Sequence, residues 1–133
     1  MTPGEERSAR AAPSGTDGAT RAGEIRGPFA VNADAPVVEP APGLQRRTLV
    51  WGERTLLVEF RVATGSGVPP HSHHHEQVGY VASGRMEFTI GGAVSVLGPG
   101  DAYLMPGNVV HSTRALEDSV VIDVFSPLRE DYR

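Results

Sequence analysis

Pro70-His71-Ser72-His73-His74-His75-Glu76-Gln77, with Gly84 beyond it, is the stretch from which the fold of this chain is read. His71 and His73 sit two apart, so on a strand both imidazoles would point to one face. Two neutral ring nitrogens held on one face suit a cation such as zinc, copper, iron or nickel. An expression tag does not lie mid-chain between a proline and an apolar strand. A second stretch, Gly100-Asp101 followed by Pro106 and His111, brings a third imidazole from far along the chain.

Outward from these stretches, every segment from Leu44 on reads as a short strand. Residues 48–51 and 55–62 flank Gly52-Glu53-Arg54 as a hairpin. In the second of them Val58, Phe60 and Val62 alternate with Glu59 and Arg61, the period of a half-buried strand. Residues 77–82, 85–90, 93–97, 102–105, 109–114 and 119–125 follow, separated by Ser83-Gly84, Gly91-Gly92 and Gly98-Pro99-Gly100-Asp101. No stretch has a helical period. Eight or nine short antiparallel strands predict an all-β, double-sheet jelly roll.

The composition excludes several chemistries. The chain has 133 residues, enough for one domain with a real core. Its net charge of −4 and scattered arginines argue against a nucleic-acid or membrane surface. No cysteine is present, so there is no disulfide framework and no thiolate ligand or nucleophile. All 12 basic residues are Arg, which rules out a Schiff-base lysine. No apolar run reaches the roughly 20 residues of a membrane span, nor does residue 1 begin a signal peptide, so a cytoplasmic protein is expected. Residues 1–43 differ from the rest. Residues 1–24 hold almost nothing that can bury and read as a disordered tail. Pro28, Pro36, Pro40 and Pro42 then punctuate an extended arm, available as an edge strand or for a partner subunit, and the domain proper is expected at 44–133.

On these residues the chain resembles the cupin superfamily. That family's first motif is matched by His71, His73 and Gly84, with Gln77 at the position of its Glu. Its second is matched by Gly100, Pro106 and His111, with Asn108 in place of a Gly and Ala115 in place of the final Asn. The resemblance implies one divalent metal ion (zinc, nickel, manganese or iron) on His71, His73, Gln77 and His111. A neutral Gln77 would leave the ion's charge uncompensated and make it a stronger Lewis acid. His74 and His75 are read as turn residues at the surface.

Asp123 stands in the apolar run Val120-Val121-Ile122-Asp123-Val124-Phe125. A buried carboxylate is paired, protonated or employed. Parity sets Val121, Asp123 and Phe125 on one face; if that face is the interior, Asp123 looks toward the metal as an acid/base group. The alternative is a structural ion pair with Arg129. A narrower resemblance rests on His71 to Tyr80 and on Asp123 to Tyr132. Both stretches look like the small pectin-degradation cupins, which ketonise unsaturated uronates. It implies functional roles for Asp123, Phe125 and Arg129, the last clamping a carboxylate. The same pattern is similar to cupins that cyclise aromatic polyketides. Three function classes therefore stay open beside the uronate isomerase: a cyclase, a non-catalytic metabolite binder and a metal-dependent dioxygenase. A carboxylate- or hydroxyl-bearing small molecule is the expected partner, and by analogy with cupins of this size a homodimer is expected. Tyr80, Tyr103, Met105, Phe88 and Phe60 are available to line the pocket.

Overall fold

A computed structural model describes residues 25–133; the tail expected at 1–24 lies outside them. Among the described residues ten strands form two sheets in which every pairing is antiparallel. The larger sheet runs, in spatial order, β1 (Val38–Ala41), β2 (Leu44–Trp51), β3 (Leu56–Val62), β10 (Ser119–Ser126), β5 (Glu76–Ser83) and β8 (Ala102–Met105). The smaller one runs β4 (Gly67–His71), β9 (His111–Ala115), β6 (Met86–Ile90) and β7 (Ala93–Leu97). Among the described residues the only helical pieces are 3-10 turns at Asn32–Asp34 and Glu130–Tyr132. The architecture is the jelly roll that strand spacing predicts.

The core lies between the sheets. Leu56, Val58, Val81, Met105 and Phe125 of the larger sheet meet Met86 and Phe88 of the smaller, all fully buried. Each such side chain contributes about 1.5–3 kcal/mol of burial, which holds the two layers at a fixed separation around the site.

Two strands carry prolines: β1, within the arm that the sequence offers as an edge strand, and β4, which went unread. β1 contains Pro40 and β4 contains Pro69 and Pro70. Proline lacks the ladder donor and is confined to sheet edges. β1 and β4 are edge strands of their sheets. The arm also contributes a bridge between Arg26 and Trp51 and the buried Ala35.

One expectation needs correcting. β4 ends at His71, and His73 lies in the turn before β5, so the two imidazoles do not share a strand. What brings them together is described next.

Candidate metal and acid/base site

His71 and His111 are direct partners across the β4–β9 ladder. Their ring centroids are 4.3 Å apart, a distance fixed by cross-strand spacing. His73 comes from the 72–75 turn, with its ring 4.8 Å from His111 and 5.5 Å from His71. A second turn pins that backbone: Asn108 N donates to His73 O at 2.7 Å. Asn108 has φ 66, the left-handed region that the motif's usual Gly occupies freely and that Asn tolerates among other residues. The Gly-to-Asn departure therefore preserves the turn.

Each of the three imidazoles has Nδ1 at 3.0 Å from a backbone carbonyl: Pro69 O for His71, His75 O for His73 and Val109 O for His111. A carbonyl can only accept, so Nδ1 carries the proton and Nε2 is left as the lone-pair nitrogen. Burial lowers the pKa of His73 and of His111, keeping both rings neutral, with the Arg129 charge acting in the same direction. One ligand atom from each of the three lies within 4.8 Å of the others.

Gln77 completes the set. It is buried on β5, and its Nε2 donates to Asp123 Oδ2 at 2.8 Å. This turns its Oε1 toward His73 Nε2, 3.2 Å away. Two acceptor lone pairs thus face each other, and His111 Nε2 is sealed from solvent with no hydrogen-bond partner. A buried acceptor without a donor is costly. A divalent cation is the partner that three neutral imidazoles and an amide oxygen fit.

The ladder explains how Asp123 is held. Across the larger sheet, Val58, Asp123, Gly79 and Tyr103 form one row and Leu56, Phe125, Gln77 and Met105 the next. Gly79 has no side chain, so the Tyr103 phenol crosses its position to donate to Asp123 Oδ1. A Cβ at residue 79 would overlap both Tyr103 and Asp123. Asp123 is 2% exposed. Desolvation raises its pKa to about 7, although the hydrogen bonds from Tyr103 and Gln77 pull it down. Burial and the Asp123 charge push the Tyr103 hydroxyl up, so it stays a neutral donor.

Arg129 does not pair with Asp123. Its Nε and Nη2 hold Asp131 at 3.1 and 2.8 Å. Its guanidinium lies 5.4 Å from the Phe125 ring centroid and 4.1 Å from that of Tyr132. Tyr132, in the last 3-10 turn, packs edge-on against Phe60 and Phe125 and is tied to β2 by Thr48 Oγ1 donating to its carbonyl at 2.6 Å.

A cavity of about 60 Å³ brings His71, Gln77, His111, Asp123, Phe125 and Arg129 together. Phe60, Phe88, Tyr103 and Met105 also line it, whereas Tyr80 is 51% exposed on the outer face. Parity on β5 carries that information, since Gln77 inward requires residue 80 outward. The carboxylate's phenol donor was not foreseen: Tyr103 and Asp123 lie in β8 and β10, which are not neighbours in the sheet, and only the β5 glycine between them allows the contact. His74 and His75 stack with centroids 3.9 Å apart in the turn; His75 is half-buried, not fully at the surface, with its Nδ1 sealed.

Comparison with known proteins sharpens this picture. Residues 58–125 match the Cupin_2 family, described as a cupin domain. The chain is 36% identical over 106 residues to the pectin degradation protein KdgF of Dickeya dadantii, covering 78% of this chain and 96% of that protein. It is 30% identical over 89 residues to an H2HPP isomerase of Bacillus subtilis, covering 66% of this chain but 37% of that protein. The solved structure of KdgF from Halomonas sp. superposes with a TM-score of 0.77 at 37% identity, over 80% of this chain and 99% of that one.

Proposed function

The chain belongs to the cupin family, and from that premise we propose that it is a metal-dependent enzyme that ketonises an unsaturated uronate. The observation that carries the reading is the double engagement of Gln77. One end of its amide faces the imidazole cluster and the other is hydrogen-bonded to Asp123, a carboxyl group with a pKa near 7. A Lewis-acid position and a proton-transfer group are thereby held by one side chain. The similarity to pectin-degradation cupins supports the substrate class, and a second relative named as an isomerase supports a reaction without net redox change.

His71, His73, His111 and Gln77 would hold the ion, which when bound supplies polarisation of a substrate oxygen. Asp123 then moves the proton. Opening of the uronate ring breaks the bond between C1 and the ring oxygen: the C1 hydroxyl gives up its proton and becomes an aldehyde, and the ring oxygen takes a proton and becomes an enol hydroxyl on C5. Ketonisation moves the proton from that hydroxyl to C4, the far carbon of the C4=C5 double bond, as C5 becomes the ketone, with no atom gained or lost. A group titrating near 7 both accepts and returns a proton at neutral pH. Tyr103 positions the carboxylate, Phe125 walls the pocket, and the N–H donors of Arg129 that Asp131 leaves free face the substrate acid. A cavity of about 60 Å³ lies far below the roughly 300–1,000 Å³ of pockets for drug-sized ligands. A homodimer in the cytoplasm belongs to the same reading.

The test is the loss of ultraviolet absorbance of a 4,5-unsaturated uronate. Metal-loaded protein should accelerate it, and Asp123→Asn should cut turnover on the order of a hundredfold or more with metal content retained. Unchanged turnover in that variant removes Asp123 from the mechanism. Retained ligand binding with no turnover by the wild type on any uronate points to a binding protein instead.

A further inference from the structure

A guanidinium turned toward a protein interior needs an anion or several acceptors, because an unpaired charge withdrawn from water is costly. Arg46 lies in β2 directly across from Phe60 and between Leu44 and Thr48, all inward-facing positions. Its Nε is sealed from solvent without a hydrogen bond. Among the described residues no carboxylate lies within ion-pair distance of it, although its charge reaches Asp131; the neighbouring β2 arginine, Arg47, has Glu59 at 3.9 Å. The Arg46 guanidinium instead rests over Tyr132, 4.1 Å from the ring centroid.

Arg129 lies at the same 4.1 Å from that centroid, so the two cations are no more than about 8 Å apart, close enough to repel. The carboxylates beside them are engaged. Asp131 occupies the Nε edge of Arg129, and Glu130 pairs with Arg133 at 3.6 Å. Arg46 does not itself line the cavity, but Tyr132 and Arg129 beside it do, and its Nη groups, unlike its Nε, are not sealed.

We propose that Arg46 is a substrate-carboxylate residue. Together with the remaining donors of Arg129 it forms a subsite for the acid group of a sugar acid, and Tyr132 is the plate that holds both cations in place. This rests on reading the cavity as a site for a carboxylate-bearing sugar. Tyr132 also lines the cavity that contains the imidazoles and Asp123. A ligand held by its acid beside Tyr132 would have its ring directed into that cavity. A planar carboxylate matches the guanidinium fork in two parallel hydrogen bonds.

The test uses galacturonate, an unreactive saturated sugar acid, titrated calorimetrically into the full-length metal-loaded protein. Arg46→Met keeps the aliphatic stem on Tyr132 and removes the charge; Arg46→Gln serves beside it should the first melt early. Both should weaken galacturonate binding about 10- to 100-fold. Arg46→Lys should recover part of the loss, because it keeps the charge without the fork. Galacturonate methyl ester should bind all the proteins alike. With the unsaturated uronate, KM should rise by a similar factor while kcat stays within a few-fold.

Equal galacturonate affinity in wild type and Arg46→Met overturns the subsite. So does an equal loss for acid and ester, a loss that follows melting temperature, tighter binding of a sugar phosphate, or no binding of galacturonate to the wild type. Wild-type inactivity on the uronate, combined with Arg46-dependent galacturonate binding, overturns the ketonisation and leaves the subsite standing.

Discussion

The four-stranded sheet and its adjoining turn bring three imidazoles to the cavity with Nδ1 spent on backbone carbonyls and Nε2 left as an acceptor. The six-stranded sheet brings Tyr103, Asp123 and Gln77 already hydrogen-bonded to one another. One half is complete in itself, while the other has the donor set that a cation would complete. Gln77 belongs to both, donating to Asp123 and presenting its oxygen to His73. The six-stranded side is satisfied internally, whereas the imidazole side leaves acceptors that a ligand would have to satisfy. The two halves should therefore fail differently when cut.

The largest effect is expected on the imidazole side. His111→Ala removes the ligand that reaches the cluster from a separate strand, and elemental analysis should find most of the metal gone and turnover with it. Metal content equal to wild type would move the ion elsewhere. Gln77→Glu tests the shared residue. Its carboxylate would stand where an N–H now faces Asp123 at 2.8 Å, and two carboxylates in contact raise a pKa. Metal should be retained, turnover should fall about 10- to 100-fold, and the rising limb of the pH–rate profile should move to higher pH. A profile that keeps its position would break the link between the halves.

Next in size is Gly79→Ala, which acts only on the six-stranded side. The new methyl has to displace Tyr103 or Asp123, at a cost of about 1–3 kcal/mol of stability, read in denaturant unfolding. Metal affinity should change little. Unchanged stability would mean that the row of side chains has room to spare.

The smallest effect is the pH dependence of the metal-free protein. The folded pKa of Asp123, about 7, is raised above its ordinary 3.8. Its contribution to stability is therefore fully present below pH 4 and lost as pH rises through 7. The imidazoles, with lowered values, act in the opposite sense, but they are common to wild type and Asp123→Asn. The difference in melting temperature between those two proteins should thus shift in favour of the Asn variant from pH 4 to 7 and level off above. A flat difference would mean that Asp123 titrates like an exposed carboxylate.

Much of this was legible beforehand, for reasons visible at particular residues. Alternation in 56–62 and glycine turns at Gly84, Gly91 and Gly92 announce a two-layer β fold, because strand period and positive φ are local properties. The proline-bearing β4 was hidden, and β1 was offered only as one use of the arm, because whether a proline is tolerated depends on which strand ends up at an edge. His71, His73 and His111 could be picked out from their motifs, yet the strand geometry first assigned to His71 and His73 was wrong. A cross-strand pair and a turn bring them together instead.

Residue types and their order along the chain thus determined that there are imidazoles for a metal, an isolated carboxylate in an apolar strand and a jelly roll to carry them. Sheet order alone decided the rest. It placed β5 between β10 and β8, with a glycine at the crossing, so that Tyr103 reaches Asp123. It also folded the last turn back over β2, so that Tyr132 meets Arg46 and Arg129 together. Local pattern specifies which face a side chain takes. Which side chain waits across that face is set by long-range packing, where the free energy of burying a charge beside its partner is decided.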